Sequence, residues 1–190
     1  MRSSAIASRL DYCNAVYAGL PAATLEPIQR VIHSTARLVY ERKPSDHVTA
    51  VLKELHWLPI KQRVDYKLCM LVHSVSMARA PLYISDMLTA CADVPLLTSS
   101  RTSPSGDYVV PKTRLKFGDR AFAVAAPRIW NKLPCELKVT KCTVTVKRSM
   151  KTLLFNFAYN TNLLCVCGLL VGGAVNQIML CYVYVYVMLF

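Results

Sequence analysis

The stretch that decides the fold is Pro59–Met77, which reads PIKQRVDYKLCMLVHSVSM. Its apolar residues recur at steps of three and four, which is the spacing of one face of an α-helix. These residues are Ile60, Val64, Leu68, Leu71, Val72 and Val75. Pro59 suits the start of a helix, where its missing N–H group removes no hydrogen bond. The pattern therefore predicts the longest helix of the chain, with Arg63 and Lys67 as a basic pair beside its apolar face.

Shorter helical patterns lie on both sides of this stretch. We predict further helices over Arg9–Ala18, Thr24–Arg42, Asp46–Leu55, Pro81–Ala90 and Arg120–Ala126. The residues that begin the second and third of these helices, Thr and Asp, are of the type that caps helix N-termini. The last helix is expected to end before the proline that follows it, because a proline ring opposes continuation.

The stretch Val144–Phe157 fits two structures. Residues 143–146 alternate Thr and Val, as a strand does. Its larger apolar residues also share one stripe of a helical wheel, and Lys147, Arg148 and Lys151 lie off that stripe. The stripe consists of Val146, Met150, Leu153, Leu154 and Phe157. We predict an amphipathic helix that begins near Val144.

Together these patterns predict a mainly α fold. It is a small bundle of short and medium helices with one Ser/Pro-rich loop at Cys91–Gly106, plus an apolar C-terminal tail. Tyr108–Val110 is a brief strand candidate, which Pro111 keeps short or at a sheet edge. The expected core residues are Ile28, Ile32, Val39, Leu52, Leu55, Trp57, Leu68, Leu71, Phe122, Trp130, Met150 and Leu154.

Composition divides the chain of 190 residues into two parts. Lys+Arg number 23 against 11 Asp+Glu, so the net charge is +12, yet 152–190 contains no charged residue. We therefore expect a basic body at 1–160 and an uncharged, apolar tail at 161–190. A hydrophobic fraction of 54% excludes whole-chain disorder. The charges throughout the body exclude a multi-span membrane protein.

Metal, cofactor and catalytic signatures are weak. The eight Cys include no CxxC pair, and the CxC at Cys165 and Cys167 lies in an apolar run far from any His. Cys69 and His73 are spaced to share a helix face, but zinc needs further ligands and Cys69 is expected to pack in the core. The chain carries no Ser-His-Asp, HExxH or phosphate-loop pattern. We predict no cofactor, no metal, no small-molecule substrate and no enzymatic activity.

Five motifs occur in an order that points to a family. They are SRLDYCN at Ser8–Asn14, QRV and ARLV within Gln29–Val39, LKELHWLPI at Leu52–Ile60, APLYI at Ala80–Ile84, and GDRAF with APRIWNKLP within Gly118–Pro134. The stretch from Ser8 to about Phe155 resembles the C-terminal region of reverse transcriptases from LINE-type retrotransposons, which lack long terminal repeats and include jockey-like elements.

The resemblance implies a segment that lies downstream of the polymerase fingers, palm and thumb. Polymerases hold two metal ions with clustered carboxylates, whereas none of the eleven acids of this chain adjoins another. The family's endonuclease has no counterpart in the chain. The expectation is therefore a non-catalytic fragment of an RNA-directed DNA polymerase.

Charge permits RNA or DNA as a partner of the body, through phosphate contacts that read no bases, but by itself it supports a solvated surface about equally. Lys147, Arg148 and Lys151 belong to a segment, 137–160, with five basic residues and no acid. Arg30 and Arg37 lie seven residues apart, opposite the apolar stripe of their helix. A merely solvated basic face is the alternative. The resemblance favours binding, because the parent enzyme must hold an RNA template and a nicked DNA target.

The tail supports a competing function. Residues 163–190 are uncharged and exceed the roughly 20 residues of a membrane-spanning helix, which fits a tail-anchored membrane protein with a basic cytosolic domain. The amides of Asn176 and Gln177 oppose insertion, and a translated extension also fits and is slightly favoured, because the family resemblance stops where the apolar composition begins. The protein is expected in the nucleus or cytoplasm if the tail is incidental, and at a membrane if the tail inserts.

Overall fold

The computed structural model describes residues 8–43, 45–94 and 106–159, and this part of the chain is mainly helical. The helices are α1 (Ala22–Val39), α2 (Thr49–Glu54), α3 (Ile60–Ser76), α4 (Leu82–Ser85), α5 (Phe122–Trp130), α6 (Cys135–Val139) and α7 (Thr143–Tyr159). Short 3-10 turns lie at Asn14–Tyr17, Cys91–Asp93 and Gly118–Arg120. The predicted fold class is confirmed.

Two sequence predictions lie outside the described residues. They are the apolar tail at 161–190 and the greater part of the Ser/Pro-rich loop. Among the helices that the structure does describe, none combines the length and apolarity that a membrane crossing requires.

Helix α3 is the central element, as its sequence predicts. It packs against α1, α5, α7 and the turn at Asn14–Tyr17. Its bounds lie within one residue of those predicted, and Pro59 precedes it at the N-cap. Because α3 presents apolar residues along its whole length, three other helices can bury their own stripes against it.

The core has a larger and a smaller cluster. The larger one joins α3, α5 and α7 around Leu68, Trp130 and Met150. The smaller one joins α1 and α2 to the first residue of α3 and includes Ile32, Leu52 and Ile60. Helix α3 therefore runs from one cluster into the other.

The predicted core is mostly confirmed. The buried members are Ile32, Leu52, Leu68, Trp130, Met150 and Leu154, and Ile28, Leu55, Trp57 and Phe122 pack against them while partly exposed. Leu71 is half-buried. The prediction that Val39 lies in the core is wrong, because 43% of its surface is exposed. Burial on α1 ends at Ala36, so Val39 extends beyond the packed part of the helix.

Helix boundaries differ from the predicted ones where capping was used to place them. Thr24 and Asp46 are not the N-caps, because α1 begins after Pro21 and α2 after Val48. Asp46 instead accepts a hydrogen bond from the Lys43 backbone N–H at 3.2 Å. The helix predicted over Arg9–Ala18 is interrupted at Cys13, where the backbone is left-handed with a φ of 53°.

Two further corrections concern helices that contain or follow a proline. The helix predicted from Pro81 to Ala90 is only the single turn Leu82–Ser85. Helix α5 does not end before Pro127 but continues through it to Trp130. The Pro127 ring is fully buried, so packing offsets the hydrogen bond that this residue cannot donate.

The brief strand predicted at Tyr108–Val110 is reduced to one antiparallel bridge between Ala90 and Tyr108. On the other side of Tyr108, the Asn131 amide takes the place of a strand. Its Oδ1 accepts from the Tyr108 N–H at 3.1 Å, and its Nδ2 donates to the Tyr108 carbonyl at 2.8 Å. A side chain thus completes pairing that a second strand would otherwise supply.

Candidate nucleic-acid interface

Arg63 is held firmly at the start of α3. Its Nε donates to the Leu58 carbonyl at 2.8 Å, and its Nη1 lies 2.9 and 3.0 Å from the two carboxylate oxygens of Asp11. Only 12% of the Arg63 side chain is exposed, against 50% for Asp11. The guanidinium is therefore oriented by the fold, and one acid partly balances its charge.

Helix α7 packs against α3 and carries two exposed lysines, of which Lys151 is close enough to feel the charge of this arginine. Lys147 and Lys151 are four residues apart and share one side of the helix. The pKa of Lys151 is lowered, first by desolvation and then by the positive charges of Arg63 and Lys147, while Asp11 opposes the shift. We call Arg63, Lys147 and Lys151 the basic cluster. It combines charges from two helices that are more than eighty residues apart in sequence.

Three aromatic rings meet further along α7, toward its C-terminal end. The His56 ring stacks on Phe155 with centroids 5.5 Å apart and planes 21° apart. Phe155 in turn meets Tyr159 with centroids 4.7 Å apart and planes tilted by 57°. We call His56, Phe155 and Tyr159 the ring stack.

Tyr159 anchors the ring stack and connects it to the neighbouring cations. Its hydroxyl donates to the Trp57 carbonyl at 2.7 Å. Burial raises the pKa of Tyr159 to about 12, and the nearby positive charge of Arg63 opposes that shift. The Lys53 ammonium lies 5.7 Å from the centre of the Tyr159 ring, within the range of a cation–π contact. A basic group therefore borders the ring stack at Tyr159.

Replacing Tyr159 by phenylalanine is expected to lower the free energy of unfolding by about 1 kcal/mol. The ring would stay in place, but the Trp57 carbonyl would lose its donor. Urea denaturation followed by circular dichroism measures the change. Tyr83→Phe is the matched control, because that tyrosine is 67% exposed. Equal stabilities of the two variants would contradict the anchoring role.

His56 has an unusual backbone position. Helix α2 ends with hydrogen bonds from His56 N to Lys53 O at 3.1 Å and from Trp57 N to Leu52 O at 2.9 Å. This pair of bonds is the Schellman motif, whose left-handed residue is usually glycine. His56 occupies that position with a φ of 52° and is exposed. The turn therefore projects an aromatic ring from a place where most helices have no side chain.

The predicted binding residues fall into two groups. Lys147 and Lys151 come together in the basic cluster, whereas Arg148 lies about 100° further around α7 than Lys147. Arg30 forms an exposed ion pair with Glu26 of its own helix at 2.6 Å. Arg37 donates from Nε to the Asp46 carbonyl at 3.3 Å. The two α1 arginines are thus engaged in local contacts on their own side of the fold.

Sequence reasoning missed part of this surface. The sequence predicts Arg63 as one of the basic residues beside the apolar face of α3, but no sequence pattern indicates that it lies near α7. His56, Phe155 and Tyr159 lie in two segments about one hundred residues apart. Only the packing of α7 beside the end of α2 brings their rings into contact.

The metal and thiol candidates are part of the core. Within 8–43, 45–94 and 106–159, no group of three or more His, Cys, Asp or Glu side chains is arranged to hold a metal ion. Cys69 is buried, as predicted, and burial raises the pKa of its thiol. A ring nitrogen of His73 lies 3.2 Å from the Thr140 carbonyl. Both side chains are therefore buried in the core and contact other parts of the fold.

Comparisons of the chain with protein-family models, with curated proteins and with solved structures find no match. The resemblance to LINE-type reverse transcriptases consequently stays a prediction from the sequence motifs.

Proposed function

We propose that this chain is a non-catalytic C-terminal segment of a LINE-type retrotransposon reverse transcriptase that binds RNA or DNA through phosphate contacts. The observation that best supports binding is the basic cluster: α7 packs against α3, the charge of Arg63 acts on Lys151, and Lys147 lies one helical turn before Lys151. The family part of the proposal rests on the five ordered motifs alone. The proposal assigns no chemical step to the chain.

The two lysines are the main phosphate contacts in this proposal. Both are exposed, and the pKa of Lys151 is lowered first by desolvation and then by repulsion from Arg63 and Lys147. A phosphate placed between the lysines would relieve that repulsion and release condensed counterions. Arg63 is already balanced by Asp11, so it orients the surface and contributes less net charge.

Charge reversal of both lysines tests the proposal. We expect the full chain to bind labelled RNA and DNA at low salt and to lose affinity steeply between about 50 and 200 mM salt. Lys147→Glu with Lys151→Glu should weaken binding at low salt by about tenfold or more and reduce the salt slope by about 2. Fluorescence anisotropy titrations at several salt concentrations measure both quantities.

Lys112→Glu with Lys116→Glu is the matched control, since it makes the same change in net charge. These lysines are exposed on a loop outside the charges that act on Lys151. The control should keep most of the affinity of the parent chain. Absence of binding at low salt, binding that salt does not weaken, or equal losses in both variants would reject the proposal.

A further inference from the structure

We infer that the ring stack is a platform for one base of single-stranded nucleic acid, with the exposed face of His56 as the stacking surface. The inference rests on the proposed function and specifies its partner, because an unpaired base can reach an aromatic ring that a base inside a duplex cannot. The phosphates beside that base would follow the basic cluster.

The order of the three rings leaves one face for a ligand. Tyr159 is tied to the Trp57 carbonyl, and Phe155 is half-buried between Tyr159 and His56. His56 is the exposed outer member and uses one ring face against Phe155. A base laid on the other face would extend the stack of His56 on Phe155, and Phe155 in turn rests on the anchored Tyr159 in a tilted contact.

The backbone conformation of His56 fixes where its ring projects. Glycine adopts the left-handed residue of a Schellman motif without strain, whereas a residue with a side chain pays a conformational cost there. The ring is nevertheless held outward by the turn, and its Nδ1 lies 3.1 Å from the Glu54 carbonyl. Ala78 at the end of α3 has the same left-handed backbone, so the conformation sets the direction of the His56 ring and does not by itself assign it a function.

The charges around the ring stack suit a nucleic-acid backbone. Lys53 lies over Tyr159, the charge of Arg63 acts on both Tyr159 and Lys151, and Lys147 lies one helical turn before Lys151. Of the acids near these cations, Asp11 is paired with Arg63, and Glu54 lies close enough to Tyr40 to raise the pKa of that tyrosine after desolvation does. A strand that stacks on His56 would therefore meet cations on its way along α7.

The decisive variant is His56→Gly in the full chain. Glycine suits the turn, so the variant should fold, and His56→Asn is a second one because Asn also tolerates the left-handed conformation. Each is expected to weaken binding of a single-stranded oligonucleotide by about fivefold or more, the effect of losing one stacked base. Binding of a duplex of the same sequence should be unchanged.

Ala78→Gly is the matched control. Ala78 is the left-handed residue of the same motif at the end of α3, with a φ of 52° and a hydrogen bond from Arg79 N to Ser74 O at 2.9 Å. The change relieves the same backbone strain without removing a ring, so single-strand binding should stay at the parent level. Urea denaturation of all variants shows that the fold is retained.

An abasic oligonucleotide separates stacking from charge, because it keeps the phosphates and lacks the bases. The parent chain and His56→Gly should bind this probe equally. Equal losses on the single strand, the duplex and the abasic probe would overturn the platform and assign His56 a charge contact. Salt-sensitive binding that neither His56 variant alters would also overturn the platform while leaving the proposed function intact. Absence of any binding at low salt would overturn both.

Discussion

Replacing Lys138 by alanine is expected to lower the free energy of unfolding by about 3–5 kcal/mol. The Lys138 ammonium lies 2.6 Å from Asp107 Oδ1 and 2.9 Å from the Asn131 carbonyl. The two charged side chains are only 2% and 11% exposed. Removing the lysine would leave the Asp107 carboxylate buried without its counter-ion, which is the costly way to break such a pair.

The effect should spread beyond the pair itself. Asp107 lies between Gly106 and Tyr108, which are the backbone partners of Trp130 and Asn131. Loss of the lysine would therefore loosen the segment that covers the end of α5. Urea or guanidinium denaturation at neutral pH, followed by circular dichroism, measures the change.

Two comparisons make this prediction specific. Lys141→Ala removes an exposed lysine three residues further along and should change stability by no more than about 0.5 kcal/mol. Lys138→Met with Asp107→Leu removes both charges and should recover much of the loss, because no buried charge is then left unpaired. A loss below about 1 kcal/mol in Lys138→Ala would show that the Lys138–Asp107 pair does not stabilise the fold as predicted.

Trp130→Ala is expected to cost about 3–5 kcal/mol of the free energy of unfolding. Trp130 is 1% exposed and lies in the larger cluster, where α5 packs against α3. Its Nε1 also donates to the Gly106 carbonyl at 2.9 Å. The substitution therefore removes a large buried ring and a hydrogen bond together, and chemical denaturation measures the combined loss in the free energy of unfolding.

Trp130→Phe separates the two contributions. Phenylalanine keeps much of the ring but cannot donate to Gly106, so this variant should lose less than Trp130→Ala. Phe117→Ala is the surface control, since Phe117 is 77% exposed, and its effect should stay within about 0.5 kcal/mol. Equal losses in Trp130→Ala and Phe117→Ala would contradict the central position of the tryptophan.

The basic cluster depends on the packing of α3 against α5 and α7. Arg63 lies on α3 and the two lysines lie on α7, and α3 also packs against α5, which carries Trp130. Binding assays on destabilised core variants therefore need a fold control. The charge-reversal and His56 variants avoid this difficulty, because the altered side chains are exposed.

Periodicity by itself determined the helical class, the extent of α3 and the choice of helix over strand for α7. These features follow from local spacing, because apolar residues at steps of three and four share one face only when the segment is helical. The larger buried residues of α3 and α7, such as Leu68 and Met150, were predictable for the same reason. Phe157 is the exception, with 53% exposure near the end of α7.

Only the tertiary structure decided how the end of α7 packs and which charges meet. Phe155 and Tyr159 lie off the predicted stripe, yet they contact the turn after α2 through His56 and Trp57. The pairings Arg63–Asp11 and Lys138–Asp107 join residues that are 52 and 31 positions apart. Such contacts depend on how helices cross, and helix crossing is set by packing across the whole core, which local spacing does not encode.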